Sequence, residues 1–211
     1  PVAVVLVLAS ITAVYWGWSR ADEVIIGDAN DGLPELHSQS RYNVDTRNIA
    51  HSFSIGVDLI TVIVETVPNA SIDHDVMDRI DEFHWKISNI DGVRSVISLP
   101  MAARILAAAW SEGSPKWREL PRNSEILAQA LSSIETSTGL LNSDASVLPV
   151  LIFTEDHKAE TINRVTAAVE EYGAELNSEK VHFRLATGNV GVMAATNQVV
   201  AAAQMEMLVT I

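Results

Sequence analysis

The densest group of chemically capable side chains in this sequence lies between residues 73 and 84. It contains five carboxylates and two imidazoles, namely Asp73, His74, Asp75, Asp78, Asp81, Glu82 and His84. Several of them recur at helical spacing, and carboxylates with imidazoles are common ligands of divalent metals. The same residues also fall opposite the apolar stripe of a predicted helix, where solvated charges belong. We therefore favour a solvated face and predict no metal site.

The sequence also lacks a recognisable catalytic motif. Asp156 and His157 are adjacent, and neighbouring residues at a helix start project differently, so capping explains Asp156 better than acid–base chemistry does. The sequence contains no GxSxG, GxxxxGK or HExxH motif. The lack of cysteine excludes disulfides, thiolate zinc sites and cysteine nucleophiles. We expect no enzymatic activity, no catalytic residue and no cofactor.

The charge of the chain excludes one class of partner. Its 211 residues include 14 Lys and Arg against 27 Asp and Glu, for a formal net charge of -13. Nucleic acid requires a basic surface, so we predict no nucleic-acid partner. Hydrophobic residues nevertheless make up 48% of the chain, and they concentrate at its two ends.

Both ends are typical of membrane segments. Residues 1–19 begin with an uncharged apolar run that ends in Tyr15, Trp16 and Trp18, and we predict a transmembrane helix there, complete or partial. A buried core helix or a secretory signal peptide fits this run less well. Residues 189–211 are small and apolar, and we predict a helix that enters a second span. The chain starts with proline, so we expect it to come from a longer protein.

Between the ends, a strand–helix–strand unit occurs twice. The first strand precedes the second by about 35 residues in each unit, which predicts two βαβ units and an α+β, ferredoxin-like split antiparallel sheet over residues 58–188. Pairing of the third strand should begin only after Pro149. The predicted strands are 58–65, 93–99, 149–154 and 180–186, and the predicted helices, both on one face of the sheet, are 72–90 (capped by Ser71) and 157–172 (ended by Gly173).

An insert, residues 100–146, separates the two units. We predict helices near 101–110 and 124–134, joined by a loop that contains two prolines. Trp110 and Trp117 flank this loop, and long aromatic loops are often functional. The two tryptophans are therefore candidates for the wall of a substrate passage between insert and sheet. The alternative is that they anchor the packing of the insert.

Two further groups of residues are candidates for structural or coupling roles. Residues 20–57 form a predicted linker with a helix near 42–53, where Arg41 and Tyr42 either contact cargo or stabilise that helix. Gly188 and Asn189 lie between the last strand and the terminal helix. They form either a hinge or, as we favour, a simple tight turn.

The segment around Arg41 also carries a family resemblance. The run GDANDGLPELHSQSRYNVD, residues 27–45, resembles the segment after a membrane helix in MMPL-type exporters of the resistance-nodulation-division superfamily. Its most specific part is PELxxxSRYNxD, which includes Arg41, Tyr42, Asn43 and Asp45. FHWKISNIDGVRSVISL, EGSPKWRELPRN, DHKAETINRVTAAVE and ATGNVGVMAATNQV resemble further stretches of that family. The position in the family is that of the periplasmic loop of the second half.

This resemblance implies a function. The chain would be the extracytoplasmic porter domain of a proton-driven exporter of hydrophobic or lipidic substrates in the bacterial inner (plasma) membrane. Its partners would be that substrate, the membrane and the remainder of the same transporter chain, with an oligomer as a further option. The alternative is a membrane-tethered sensor or assembly module that binds a ligand or a protein through the same sheet.

Overall fold

Four antiparallel strands form one sheet in the part of the chain that the computed structural model describes, residues 2–20, 36–53 and 55–210. Their order across the sheet is β2–β3–β1–β4. The strands are β1 (Leu59–Thr66), β2 (Val93–Ile97), β3 (Val147–Thr154) and β4 (Val181–Thr187).

Seven α-helices accompany the sheet in the described residues, which confirms the predicted α+β class. Short 3-10 turns add to them at Ala70–Ile72, Pro115–Trp117 and Thr136–Thr138. The helices are α1 (Val2–Trp18), α2 (Arg41–Ser52), α3 (His74–Ser88), α4 (Leu99–Trp110), α5 (Ser124–Leu131), α6 (Ala159–Leu176) and α7 (Asn189–Thr210).

The two predicted strand–helix–strand units are present as β1–α3–β2 and β3–α6–β4. The first strand of each unit is central in the sheet, as expected. Helices α3 and α6 contact each other, so they lie on the same face. The Lys86 ammonium at the end of α3 lies 2.6 Å from the Glu175 carboxylate of α6. The Phe83 ring of α3 stacks on Phe183 of β4, with ring centroids 4.5 Å apart.

The core forms because the periods of strand and helix put apolar residues on matching faces. Every second residue of β1, namely Ile60, Val62 and Val64, is fully buried. The inward stripes of the two helices complete this layer, and burying such side chains provides the main driving force for folding. The buried helix residues include Val76, Ile80, Phe83, Ile87, Ile162, Val165 and Val169.

The start of α3 corrects the sequence prediction. Ser71 lies in the preceding 3-10 turn, and Asp73 is the N-cap instead. The Asp73 carboxylate accepts a hydrogen bond from the Asp75 backbone N–H at 3.0 Å. It also accepts one from the Lys180 ammonium at 3.0 Å, and this bond is the main reason that the pKa of Asp73 is lowered. Asp73 is the N-cap rather than Ser71 because its carboxylate accepts hydrogen bonds from both the first turn of the helix and Lys180.

The expectation that pairing starts after Pro149 was wrong. Strand β3 pairs with β1 through Pro149, opposite Ile63, and on to Val147. On its other side, pairing with β2 ends at Leu151. Strand β2 therefore does not reach Pro149. Proline is tolerated there because its missing N–H removes no hydrogen bond on a side where no strand lies.

Helix α6 also differs from its predicted bounds. It begins at Ala159 and continues through Gly173 to Leu176. A Cβ added at Gly173 would lie 3.1 Å from the Cβ of Phe183. Glycine at this position therefore lets the helix approach β4 closely instead of ending the helix.

Both ends of the chain contain the expected helices. Among the described residues, however, no helix has both the length and the apolarity needed to cross a bilayer. Helix α1 has 17 residues, whereas a span takes about 20. Helix α7 contains Asn197, Gln198 and Glu206, and its first turns are buried at Val190 and Ala194. The predicted transmembrane helices at 1–19 and 189–211 are thus not confirmed.

We predict that Phe83→Ala lowers the free energy of unfolding by about 3–5 kcal/mol, because it leaves a cavity beneath Phe183. Trp85→Ala is the matched control on the same helix, since the Trp85 side chain is 67% exposed. It should change stability by only about 0.5 kcal/mol. Urea titration of both variants checks this packing, and equal losses would contradict it.

Candidate functional site

The insert between the two units is built on helices α4 and α5. Pro100 stands in the first turn of α4, where its missing N–H would be unpaired in any case. The Asn123 side chain caps α5 by accepting from the backbone N–H of Glu125 at 2.7 Å. Ala103 and Leu127 are fully buried, and α4 packs against α5. These contacts fix the loop between the helices, which includes the turn Pro115–Trp117.

A cavity of ≈ 450 Å³ lies between this loop and the two helices. That volume is within the range of small-molecule sites, about 300–1,000 Å³. The cavity belongs wholly to the insert rather than to a cleft between insert and sheet, where the sequence suggested a passage. Its lining residues are Ala107, Ser111, Trp117, Glu119, Leu120, Pro121, Arg122, Asn123 and Ile126.

The structure separates the two candidate tryptophans. Trp117 lines the cavity, and the Lys116 ammonium lies 5.5 Å from the centroid of its ring, a cation–π distance. Trp110, the last residue of α4, is 62% exposed and does not line the cavity. Trp117 itself is 55% exposed, which is more than a core anchor would be. The geometry therefore favours Trp117 over Trp110 as a binding residue.

The acidic cluster of α3 forms no metal site in the described residues. Three of its members instead contact the insert or Ser98, the N-cap of α4, and one of these contacts joins His74 Nδ1 to the Pro121 carbonyl oxygen at 3.2 Å. The Asp81 carboxylate lies 2.8 Å from the Arg104 guanidinium of α4, and the His84 Nδ1 lies 2.9 Å from the Ser98 hydroxyl. The expected solvated face is thus only partly solvated. Sequence reasoning missed this network because its partners come from a later element.

Burial changes the titration of this pair of residues. Desolvation, followed by the charge of Arg104, lowers the pKa of His84 to about 4. Desolvation raises the pKa of Asp81, although Arg104 opposes this. His84 is therefore neutral near pH 7 and serves as a hydrogen-bonding group.

The side chain of His157 contacts Asp58 rather than its sequence neighbour Asp156. Its Nδ1 lies 3.2 Å from the carboxylate of Asp58, and both residues are buried. The expectation that Asp156 caps the helix was wrong, because the N-cap of α6 is Lys158, and the Asp156 carboxylate accepts a hydrogen bond from the Lys158 backbone N–H at 3.1 Å. The contact between Asp58 and His157 joins the start of β1 to the segment just before α6. Residues 99 positions apart could not be connected by any local pattern.

The residues that carry the family resemblance are described from residue 36 onward, and 27–35 lie outside the described part. The Arg41 guanidinium is 3.4 Å from the Asp45 carboxylate on an exposed face of α2. Tyr42 is 54% exposed. Asn43 is buried, and its side-chain N–H donates to the backbone oxygens of Leu36 and His37. Asn43 thus has a structural role at the helix start, whereas a role in cargo binding for Arg41 and Tyr42 stays a prediction.

Gly188 lies where the sheet meets α7. Its φ is +104°, which side chains rarely adopt, and an added Cβ would collide with the carbonyl oxygen of Leu59 and lie 3.0 Å from its carbon. In the first turns of α7, Val190 and Ala194 are buried. This close approach favours a packed turn over a free hinge. The side chain of Asn189 lies outside the described part of the chain.

With this geometry established, the chain was compared with protein-family models, curated proteins and solved structures, and none matches it. The resemblance to MMPL-type exporters therefore stays a prediction that rests on the quoted runs.

We predict that Gly188→Ala destabilises the chain by about 1–3 kcal/mol or more, because it adds backbone strain and a steric clash with β1. Gly191→Ala is the matched control three residues on, since a Cβ there meets no atom within 4 Å. In the helix it should stabilise by about 0.4–1 kcal/mol. Urea titration gives both values, and similar effects of the two changes would rule out the packed turn.

We further predict an acid sensitivity that depends on His84. Unfolded His84 takes up a proton as the pH falls through its ordinary value of 6.5, whereas the folded residue stays neutral down to about 4. Stability should therefore fall by roughly 1–2 kcal/mol between pH 6.5 and 4, and this loss should be absent in His84→Gln. His182→Gln, on the exposed face of β4, serves as the control and should keep the wild-type profile. Urea titrations across this pH range test the prediction, and an unchanged profile in His84→Gln would refute it.

Proposed function

We propose that this chain is the extracytoplasmic, porter-type domain of a proton-driven exporter of the resistance-nodulation-division superfamily, closest to the MMPL type. Its cargo would be a hydrophobic or lipidic molecule. It would work together with the membrane and with the remainder of the same transporter chain, in the bacterial inner membrane.

The strand order supports a ferredoxin-like assignment, which this proposal includes. In β2–β3–β1–β4, the first strand of each βαβ unit is central and both helices lie on one face. Right-handed crossovers from two such units in series produce this order. The family resemblance implies the same architecture.

The single observation that carries the proposal is the cavity in the insert. An apolar wall that includes Trp117, Leu120 and Ile126 faces a volume of ≈ 450 Å³. Mostly apolar, concave sites with a few polar groups are typical of small-molecule binding. A hydrophobic cargo matches this wall better than a polar metabolite would.

The surface of α1 supports a setting next to lipid or to other apolar helices. Its large side chains, from Val2 to Trp16, are between 57% and 75% exposed. These apolar side chains lie on every side of the helix, so α1 has no polar face to turn toward water. A helix that is apolar all round is stable when lipid or neighbouring helices cover it.

The test is export by the full-length protein in cells, with N-phenyl-1-naphthylamine as an apolar fluorescent probe. Cells that lack the protein should accumulate more probe, and an uncoupler should remove the difference. Trp117→Ala should raise accumulation about severalfold at unchanged protein abundance, because one wall of the cavity is lost.

Trp110→Ala is the matched control, since it removes an equally large exposed ring outside the cavity wall. It should leave accumulation near wild type. Equal export by wild type and Trp117→Ala at equal abundance would contradict the passage. Probe accumulation that is independent of the protein would instead favour the sensor or assembly module.

A further inference from the structure

The loop that bears Trp117 has an unusual charge for this chain. The whole sequence carries a net charge of -13, yet the segment PKWRELPR, residues 115–122, has three cations and one carboxylate. The cations are Lys116, Arg118 and Arg122, and the carboxylate is Glu119. Glu112 and Glu125 flank this segment, so the excess of positive charge is confined to residues 115–122.

These three cations also differ from most others in their partners. None of them has a carboxylate within ion-pair distance in the described part of the chain. By contrast, seven other cations pair with carboxylates there, namely Arg41, Lys86, Arg104, Lys158, Arg164, Lys180 and Arg184. The positive charge at the loop is therefore free to attract an external anion.

The position of the cations relative to the apolar wall limits the kind of anion. Arg122 lines the cavity, and Lys116 lies over the Trp117 ring that forms its wall. Arg122 offsets the one carboxylate of the lining, Glu119, and Lys116 adds a positive charge beside the Trp117 wall. A ligand that contacts both the apolar wall and the cations needs an apolar body and an anionic end.

We propose that the cavity binds an anionic single-chain amphiphile, whose hydrocarbon chain contacts Trp117, Leu120 and Ile126. Its carboxylate or phosphate group pairs with Arg122 and Lys116. Arginine and lysine both bind such groups by charge-assisted hydrogen bonds. The assignment rests on the proposed function and narrows its cargo class from hydrophobic molecules to anionic amphiphiles.

The test measures quenching of Trp117 fluorescence by 11-bromoundecanoate in the full-length protein, held in nanodiscs of a zwitterionic lipid. The methyl ester of the same acid is the neutral matched probe. Subtracting the Trp117→Phe variant removes quenching of the other tryptophans. The acid should bind more tightly than the ester, and Arg122→Gln and Lys116→Gln should each weaken acid binding about twofold to fivefold without affecting the ester.

Arg164→Gln is the control for net charge, since Arg164 lies on α6 and pairs with Asp91. It should leave both affinities unchanged. Equal binding of acid and ester would overturn the anionic assignment while leaving the hydrophobic passage intact. Absence of Trp117 quenching by either probe, in a protein whose export still depends on Trp117, would also overturn it without refuting the proposed function.

A final arm separates a free amphiphile from a membrane surface. The protein is mixed with vesicles that contain brominated anionic phospholipid and no free acid. Strong Trp117 quenching by these vesicles, with none by 11-bromoundecanoate, would assign the basic loop to a lipid surface and overturn the proposal. Quenching by the acid alone supports it.

Discussion

The central strand β1 is the element on which the rest of the structure depends. It pairs with β3 on one side and β4 on the other, so the two βαβ units are joined through its backbone. Its inward residues Ile60, Val62 and Val64 are fully buried beneath α3 and α6. Its first residue, Leu59, also meets Gly188, where α7 leaves the sheet. Pairing, core packing and the position of the terminal helix are therefore decided within eight residues.

Buried and partly buried polar contacts connect the outer elements to this sheet. The Asp81–Arg104 ion pair and the His84–Ser98 contact tie α4 and its N-cap to α3, and the contact between Asp58 and His157 ties the start of β1 to the segment before α6. Each contact gives a partner to a group that would be costly to bury alone, although the second carboxylate oxygen of Asp81, Oδ1, is buried without one. Such contacts specify one arrangement of elements, because a shifted insert would leave Asp81 and Arg104 without each other.

The insert combines this firm attachment with an open apolar concavity. Helices α4 and α5 pack through buried small and aliphatic residues, while the connecting loop holds Trp117 over a cavity instead of filling the space. Filling that space with the loop's own side chains would have been the ordinary way to stabilise a connector. A packed pair of helices beside an unfilled apolar wall is better suited to binding a ligand than to stabilising a connector, and this argument underlies the function proposed above.

The sequence by itself determined the elements whose signals are local. The alternation in β1 and the three-to-four spacing in α3 and α6 follow from strand and helix periods, and their repetition predicted the sheet with its central strands. Tertiary structure alone decided the choice of Asp73 as cap, the tolerance of Pro149, the close approach of Gly173 to Phe183, and the joining of Asp58 to His157. It also decided that Trp117 lines a cavity while Trp110 faces away. The physical reason is that periodicity reports which face a residue occupies, whereas cap choice, close approach and cavity walls depend on atoms brought together from distant parts of the chain.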